Sequence, residues 1–264
     1  MSPRLVTSLT NPTVKAVRAL HLRKAREESG LFLAEGLKIV AEAVELGRAP
    51  AILLYGPQAR EHPVLQGAVQ AAEAAGGEVI EVNAAILEKV SRRDNPQMVI
   101  GVFPQAFTAL DQIEPASAPC WVALEQVRDP GNLGTIVRTA DAAGCGGVIL
   151  VGDCCDPYSL EAVRASMGSI FAVKIARAGA ADFLAWRQTW PGPVVGTLLT
   201  ATVDYRAVHW RRPSLILMGA EQSGLTPAMA AVCDVAVKIP MRGRADSLNL
   251  SVATGLMIYA ATAD

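Results

Sequence analysis

A chain of 264 residues, 51% of them apolar, is long enough to form one large domain or two small ones around a sizeable hydrophobic core. The formal net charge of −1 neither supports nor excludes a nucleic-acid partner, so the local distribution of charge has to decide that question. The sequence has five cysteines without a Cys-x-x-Cys spacing and three scattered histidines, and it shows no signal peptide and no apolar run of membrane-spanning length. These features predict a soluble cytoplasmic protein with no disulfide, metal site or membrane anchor.

A polar segment opens the chain, and a helix is predicted from about Pro12, a residue favoured in the first helical turn. Acidic residues come only at the end of this segment, whereas basic residues crowd it: Lys15, Arg18, His21, Arg23, Lys24 and Arg26. One interpretation is a solvated helix face. The other is a phosphate-binding patch, because cations at helical spacing can follow a nucleic-acid backbone.

Strands and helices then alternate up to residue 103, which predicts a compact α/β unit. Apolar strands are predicted at 51–55, 78–82 and 98–103. A polar loop, Ser91–Gln97, precedes the last of them and carries Arg92 and Arg93. We interpret Glu35 as a structural residue that bonds a helix N-terminus or a nearby arginine.

Prolines at both ends of residues 105–118 predict a linker, after which the alternation resumes. Further strands are predicted at 121–125, 147–151, 171–175, 193–199, 214–218 and 235–239. They are almost wholly apolar, as strands buried on both faces are. The pattern therefore predicts a Rossmann-like parallel sheet covered by helices.

The first turn of this region does not carry a dinucleotide fingerprint. It offers Gly131, Asn132 and Gly134 instead of Gly-x-Gly-x-x-Gly, which disfavours a nicotinamide-dependent oxidoreductase of plain Rossmann topology. Near the end of the chain, a loop joins the last strand to a helix predicted over Leu248–Ala260 with Ser247 as its N-cap. A loop at a helix N-terminus presents backbone N–H groups to a ligand.

Three stretches of this region stand out: DPGNLGTIVRTADAAG (Asp129–Gly144), LILMGAEQSGL (Leu215–Leu225) and IPMRGRADSLNLSVA (Ile239–Ala253). In order and spacing they resemble the signature motifs of the SpoU/TrmH family of RNA ribose 2'-O-methyltransferases, in the SPOUT superfamily. The resemblance implies a knotted catalytic domain at residues 119–264, containing a trefoil knot. It also implies a homodimer, and a smaller N-terminal RNA-binding domain at residues 1–104 that is similar to a ribosomal protein.

The activity that the resemblance implies is S-adenosylmethionine-dependent methylation of a ribose 2'-hydroxyl in structured RNA. Ribosomal RNA of the 23S type is the expected substrate, and transfer RNA is the alternative. A non-catalytic RNA-binding protein of the same fold is a second alternative, which the intact motif positions disfavour. Contacts with the RNA are expected from Lys15, Arg18, Arg23, Lys24, Arg92 and Arg93.

By the motifs, five residues are expected at the reacting centre: Asn132, Arg138, Glu221, Ser247 and Asn249. A structural interpretation makes Asn132 and Ser247 helix caps and pairs Arg138 with Glu221. Because a guanidinium gives up its proton so reluctantly, Arg138 is a poor general base. Our hypothesis is that it binds the target phosphate bidentately and holds the 2'-oxygen in line, while that phosphate or a transiently neutral arginine assists proton loss. Glu221 is expected to orient Arg138 or to cap the residues that follow it.

The motifs also imply where S-adenosylmethionine contacts fall. They are expected at Gly219, Ile239, Met241 and Leu248, with Leu198 and Thr200 completing the pocket. Backbone groups and apolar walls suit a neutral adenine and a methionine tail better than a pyrophosphate.

Overall fold

The computed structural model describes residues 4–93 and 95–263, which fold into two compact units. The N-terminal unit comprises the described residues up to Gln105 together with Tyr158–Phe171. The C-terminal unit comprises Ala106–Pro157 together with the described residues from Ala172 onward. Asp94, in the predicted polar loop, lies outside the described residues.

The elements follow one another as the alternation of the sequence predicts. In chain order the strands are β1 (Arg4–Val6), β2 (Leu31–Glu35), β3 (Ile52–Tyr55), β4 (Glu78–Val82), β5 (Val99–Pro104), β6 (Cys120–Glu125), β7 (Gly147–Val151), β8 (Lys174–Ala178), β9 (Val194–Thr197), β10 (Val203–Asp204), β11 (Ser214–Met218) and β12 (Val235–Lys238). The helices are α1 (Pro12–Ala19), α2 (Arg23–Ser29), α3 (Leu37–Glu45), α4 (Pro63–Ala74), α5 (Ala84–Ser91), α6 (Pro130–Ala142), α7 (Leu160–Ser166), α8 (Ala180–Arg187), α9 (Pro227–Ala231) and α10 (Leu250–Thr262).

The N-terminal unit is built on a mixed sheet of order β1-β4-β3-β5-β2. Strands β1, β4 and β3 are parallel, whereas β5 runs antiparallel to both β3 and β2. Buried side chains of the sheet pack with those of α1 and α5 into one core. The predicted first helix begins at Pro12 and ends at Ala19, and α2 follows from Arg23. Arg26 of α2 is buried and donates a hydrogen bond of 2.7 Å to the carbonyl of Leu20 between the two helices.

One segment from the later part of the sequence belongs to the N-terminal unit. The rings of Tyr158 and Phe171 lie 4.5 and 5.6 Å from the ring of Phe32. Within the same segment, Arg164 Nη2 donates to Glu35 Oε2 at 2.7 Å. The segment lies within residues 119–264, which the sequence predicts as the catalytic domain, so the N-terminal unit is not continuous in sequence. The interpretation of Glu35 as a structural residue that binds a nearby arginine is confirmed.

The C-terminal unit contains a seven-stranded parallel sheet of order β10-β12-β9-β11-β6-β7-β8. Strands β6, β7 and β11 are buried along their whole length, as predicted for a parallel sheet covered by helices. In the described part of the chain, α6 and α10 are the longest helices at 13 residues each, and no helix is long and apolar enough to cross a membrane.

Three details of this unit differ from the sequence prediction. Strand β8 begins at Lys174 and not at Phe171, because Phe171 packs in the N-terminal unit. Helix α10 begins at Leu250 and not at Leu248, because Asn249, rather than Ser247, caps it. The short elements β10 and α9 were not predicted, since two and five residues carry too little periodicity to reveal them.

Candidate active site

The loops that carry the three motifs lie at one edge of the parallel sheet. Strand β11 lies between β6 and β9, and β9 is next to β12. Because these strands run in the same direction, the loops that follow them all leave from the carboxyl edge. Open α/β sheets bind their ligands at this edge, where the order of strands reverses.

Three side chains, one from each motif, form a continuous chain of hydrogen bonds at this edge. Asn132 Nδ2 donates to Glu221 Oε1 at 3.2 Å, and Asn249 Nδ2 donates to Asn132 Oδ1 at 2.9 Å. Asn249 Oδ1 in turn accepts the backbone N–H of Ser251 at 2.9 Å. Three of the five residues expected at the reacting centre are therefore in direct contact.

Helices α6 and α10 lie side by side and run in the same direction. Asn132, in the first turn of α6, meets Asn249 at the start of α10. One or two turns further on, a Cβ atom at Gly255 of α10 would lie 3.6 Å from Thr139 Cγ2 of α6. The N-termini of both helices, with their unsatisfied N–H groups and the positive ends of their dipoles, thus lie together at the site.

Glu221 holds the chain that leads into α6. Its carboxylate accepts the backbone N–H groups of Arg128 at 3.3 Å and Asp129 at 3.4 Å, besides the amide of Asn132. Asp129 Oδ1 accepts the N–H of Asn132 at 2.6 Å and so caps α6. The interpretation of Asn132 as the cap is wrong, and the Asp129-Pro130 pair, an N-cap followed by proline, was the signal for the true cap.

Arg138 lies on the exposed face of α6. Its guanidinium makes no hydrogen bond or ion pair with any residue that the structure describes. The interpretation that pairs it with Glu221 is wrong, because Glu221 binds Asn132 and the backbone after β6 and makes no hydrogen bond or ion pair with Arg138. Arg138 lies six residues beyond Asn132 in α6, and its charged, accessible guanidinium is available to a ligand.

Ser247, the remaining residue expected at the reacting centre, is exposed, and its hydroxyl donates to Asp246 at 3.0 Å. It does not cap α10. The structure places it in the loop before that helix, two positions from Asn249, and brings it to none of the other four residues by a hydrogen bond among the described residues.

The residues expected to contact the cofactor lie on the same edge loops. Leu198, directly after β9, donates its N–H to Val237 O of β12 at 2.9 Å. Thr200 and Leu248 are exposed, and Ile239 and Met241 are half-buried.

Gly219 is packed too closely for any side chain. A Cβ atom there would lie 2.0 Å from the backbone carbon of Gly224, because the loop folds back on itself. Two backbone hydrogen bonds between Ala220 and Gly224, of 3.2 and 2.9 Å, close that loop. The glycine is therefore required by the shape of the loop that carries Glu221.

Sequence reasoning missed Cys155 as a neighbour of the site. Burial, together with the charges of Cys154, Glu221 and Asp129, raises the pKa of its thiol to about 12. The thiol therefore stays protonated at neutral pH, next to a concentration of carboxylates. Within residues 4–93 and 95–263, no group of three or more histidine, cysteine or acidic side chains is arranged to hold a metal ion.

The four basic residues of α1 and α2 that are expected to contact RNA fall into two groups. Arg23 and Lys24 each lie near a glutamate four residues further along α2, at 2.8 and 3.8 Å, as on a solvated helix face. Lys15 and Arg18 are exposed on α1 and have no partner among the described residues. The second group is therefore better placed to contact phosphates.

Arg92 and Arg93 follow α5, whose end meets the end of α1 at His21. The His21 ring donates from Nε2 to the carbonyl of Val90 at 2.6 Å. Burial lowers the pKa of His21, and the charges of Arg92, Arg164 and Arg26 lower it further. These three arginines therefore lie close enough to the His21 ring for their charges to act on it.

The parallel sheet and the polar side chains at its carboxyl edge are typical of an α/β enzyme. The loop after β6 lacks the glycine pattern that binds a pyrophosphate. The model of the SpoU rRNA methylase family matches residues 119–259, and that of the MRM3-like substrate binding domain matches residues 11–101. The chain belongs to the SpoU rRNA methylase family. The resemblance of the three motifs is thereby confirmed.

Solved structures and curated relatives support the same conclusion. The AdoMet-bound rRNA methyltransferase from Sinorhizobium meliloti is 49% identical, with a TM-score of 0.92 over 98% of this chain and 97% of that one. The SpoU methyltransferase AviRb from Streptomyces viridochromogenes, in complex with AdoMet, is 31% identical, with a TM-score of 0.83 over 96% of this chain and 97% of that one. The 23S rRNA (guanosine(2553)-2'-O)-methyltransferase RlmP of Bacillus subtilis (strain 168) is 27% identical over 96% of this chain and 97% of its own. The predictions of an α/β methyltransferase that uses S-adenosylmethionine are confirmed at the level of the family.

Proposed function

We propose that this protein transfers a methyl group from S-adenosylmethionine to the 2'-hydroxyl of one nucleotide in ribosomal RNA. The observation that carries the proposal is the chain of hydrogen bonds from Glu221 through Asn132 to Asn249, which joins the three family motifs. Arg138, unpartnered among the described residues, lies further along α6, the helix that carries Asn132. The curated relatives named for 23S rRNA methylation favour ribosomal RNA over transfer RNA.

The cofactor pocket that we propose is formed by the loops after β9, β11 and β12. It is lined by Leu198, Thr200, Gly219, Ile239, Met241 and Leu248. The fit rests on chemistry: apart from Thr200, these six residues offer apolar side chains or, at Gly219, backbone groups alone, and Leu248 is 38% exposed. Such surfaces suit adenine and a methionine chain. When bound, the cofactor supplies an electrophilic methyl group on a sulfonium.

Arg138 is the residue to which we assign the grip on the target nucleotide. A guanidinium remains protonated at neutral pH and can bind a phosphate through two parallel hydrogen bonds. Fixing the phosphate holds the neighbouring ribose 2'-oxygen in line for attack, which lowers the entropic part of the barrier. Proton loss from that oxygen is then assisted by the phosphate or by a transiently neutral Arg138.

The other motif residues hold this arrangement in place. Glu221 fixes the backbone at the start of α6, and Asn132 connects it to the cap of α10, so both helix N-termini keep their positions. Ser247 lies in an exposed loop beside them and is proposed to contact the ribose. Because the two helix N-termini carry partial positive charge, they favour a bound phosphate.

The N-terminal unit is proposed to bind structured RNA through the end of α1 and the residues after α5. Lys15, Arg18, Arg92 and Arg93 are the contacts best supported, because all four are exposed and none of their side chains has a hydrogen-bond or ion-pair partner among the described residues. Arg23 and Lys24 remain in the proposal as weaker contacts, since each has a glutamate nearby.

Three further features are proposed on the family resemblance. The C-terminal unit is a trefoil knot, for which the return of β11 to a place between β6 and β9 is the supporting observation. The protein is a homodimer in which the partner helps complete the pocket. Val252 and Tyr259 of α10, 52% and 57% exposed on an otherwise apolar helix, support this interface. We expect the enzyme to act in the cytoplasm.

The deciding experiment maps ribose methylation in a strain that lacks the gene, complemented with the wild type or with Arg138→Ala. One ribosomal-RNA nucleotide should lose its methyl group, and only the wild type should restore it. Loss at a transfer-RNA nucleotide would redirect the substrate. No lost methyl group in either RNA, together with no S-adenosylmethionine binding by calorimetry, would contradict the proposal and favour a non-catalytic RNA-binding protein.

A further inference from the structure

Glu125, the last residue of β6, is a buried carboxylate, 3% exposed, with both oxygens bonded to a single residue. Its Oε2 accepts the backbone N–H of Thr226 at 2.8 Å, and its Oε1 accepts the hydroxyl of the same threonine at 2.8 Å. Hydrogen bonds to an ionised acceptor are about twice as strong as neutral ones. The end of β6 is thus fastened to a residue 101 positions later in the chain.

Thr226 ends the loop that carries Glu221. The loop leaves β11 at Gly219 and closes on itself through the two Ala220–Gly224 hydrogen bonds. It then reaches Thr226, the N-cap of α9. Because these hydrogen bonds close the loop, we expect it to move as a rigid unit. The position of Thr226 at its end therefore determines where Glu221 lies.

The two connected segments hold each other reciprocally. Glu125 from the β6 side binds Thr226 in the loop, and Glu221 from the loop binds the backbone of Arg128 and Asp129 just after β6. Between Glu125 and Arg128, Gln126 adopts a left-handed backbone conformation with φ 52°. Two carboxylates therefore join the same two segments at both ends.

A neutral side chain would fill the place of Glu125 at a smaller desolvation cost. Within the described residues no cation forms an ion pair with Glu125, so burial of its charge is offset only by the two bonds to Thr226. The presence of Glu125 despite this desolvation cost indicates that the position of Thr226, which it fixes, is important.

We propose that Glu125 is a positioning residue for methyl transfer. It acts through Thr226 to set the loop from which Glu221 reaches Asn132, and it does not touch the substrate. The effect of Glu125 on catalysis rests on the proposed function, whereas its effect on the position of the loop does not. The corresponding test therefore needs one readout of activity and one of structure.

The structural readout is hydrogen exchange followed by mass spectrometry on the full-length protein. Glu125→Gln places an amide N–H₂ where one oxygen accepted, so we expect exchange of the protected amides in residues 126–132 and 219–226 to accelerate about tenfold or more. Thr226→Ser keeps both donors and should exchange as the wild type does. Unchanged exchange in Glu125→Gln would overturn the proposal, whether or not the wild type methylates RNA.

The matched control is Asp234→Asn. Asp234 is also a carboxylate that joins two segments of the C-terminal unit, accepting Val194 N at 2.8 Å and Arg187 Nη2 at 2.6 Å, but it lies before β12 at the amino edge of the sheet. Its loss should accelerate exchange near β9 and β12 and leave residues 126–132 unchanged. Equal acceleration of residues 126–132 in both variants would reduce Glu125 to a general stabiliser.

The activity readout is the single-turnover methylation rate with saturating cofactor and RNA. Glu125→Gln should lower it about 10- to 100-fold, because small displacements of a positioned group cost that much. In a Glu221→Gln background the same change should cost less than about threefold, since the position of Glu221 no longer matters. Additive losses in the double variant would overturn the positioning role. An inactive wild type would refute the proposed function. The exchange result would still decide whether Glu125 fixes the position of the loop through Thr226.

Discussion

Asn249 donates a hydrogen bond of 2.9 Å from its side-chain nitrogen to the side-chain oxygen of Asn132. With its own side-chain oxygen it caps α10, accepting the N–H groups of Ser251 and Val252. One asparagine thus serves the start of its helix with one atom and the neighbouring motif with the other. The two roles can be separated by substitution.

Asn249→Asp keeps the capping oxygen but removes the donor to Asn132. We expect the free energy of unfolding to stay within about 0.5 kcal/mol of the wild type, while the methylation rate falls about tenfold or more. Asn249→Ala should lose the cap as well and cost about 1 kcal/mol of stability. Urea denaturation and single-turnover assays measure the two effects. Full activity in Asn249→Asp would show that the contact with Asn132 plays no part in the reaction.

Arg138→Lys preserves the charge and removes the bidentate geometry. Because Arg138 is exposed and unpartnered within the described residues, its replacement should leave stability unchanged within about 0.5 kcal/mol. The methylation rate should fall about 100-fold or more in Arg138→Lys and further in Arg138→Ala. Cofactor affinity, measured by calorimetry, should change little. Near-normal turnover in both variants would remove Arg138 from the mechanism.

Gly219→Ala would force a Cβ atom against the backbone of Gly224 and Leu225, at 2.0 to 2.4 Å. We expect a loss of about 1–3 kcal/mol in the free energy of unfolding, with weaker cofactor binding, because backbone cannot move aside as a side chain can. Gly243→Ala is the control, since a Cβ atom there meets nothing within 4 Å. Equal stability of the two variants would contradict the packing of the loop.

Lys15→Ala with Arg18→Ala should weaken RNA binding more than Arg23→Ala with Lys24→Ala. The first pair is unpartnered in the described part of the chain, whereas each member of the second has a glutamate nearby. If both residues of the first pair contact phosphates, the slope of log affinity against log salt should fall by about 1.5–2. Filter binding at several salt concentrations provides the measurement. Equal slopes for both double variants would place the RNA elsewhere.

His21 should make stability sensitive to mild acid. Burial and nearby arginines lower its folded pKa, so in the folded state it binds fewer protons than in the unfolded state at pH below about 6.5. The contribution of His21 is therefore complete at pH 7.5 and is lost as the pH falls through that window. His21→Gln keeps a donor for Val90 but does not titrate. The stability of the wild type relative to this variant should decrease from pH 7.5 to 5.5, and a constant difference would exclude the linkage.

Local rules predicted much of this fold. The buried strands of the C-terminal sheet were evident because both faces must be apolar, and the start of α1 at Pro12 followed from proline chemistry. The α10 cap was placed two residues early, because Ser247 and Asn249 are both good caps and only tertiary contacts decide between them.

Partners of side chains were beyond such rules. That the three motifs meet at one site followed from the family resemblance, but the choice of Asn132 rather than Arg138 as the partner of Glu221 depends on distances across the sheet edge. Neither composition nor periodicity predicts the buried hydrogen bonds between Glu125 and Thr226. A carboxylate at the end of an apolar strand was the one local feature that indicated an unusual role for Glu125.

The chain crosses between its two units three times, at residues 105–106, 157–158 and 171–172. A truncation after Gln105 would therefore not yield two self-sufficient halves. The first half would lack α7 and its arginine, and the second would expose Tyr158 and Phe171, whose rings pack on Phe32. Exchange of the N-terminal unit between related enzymes has to carry residues 158–171 along with it, although this stretch lies within the residues that the methylase family model matches.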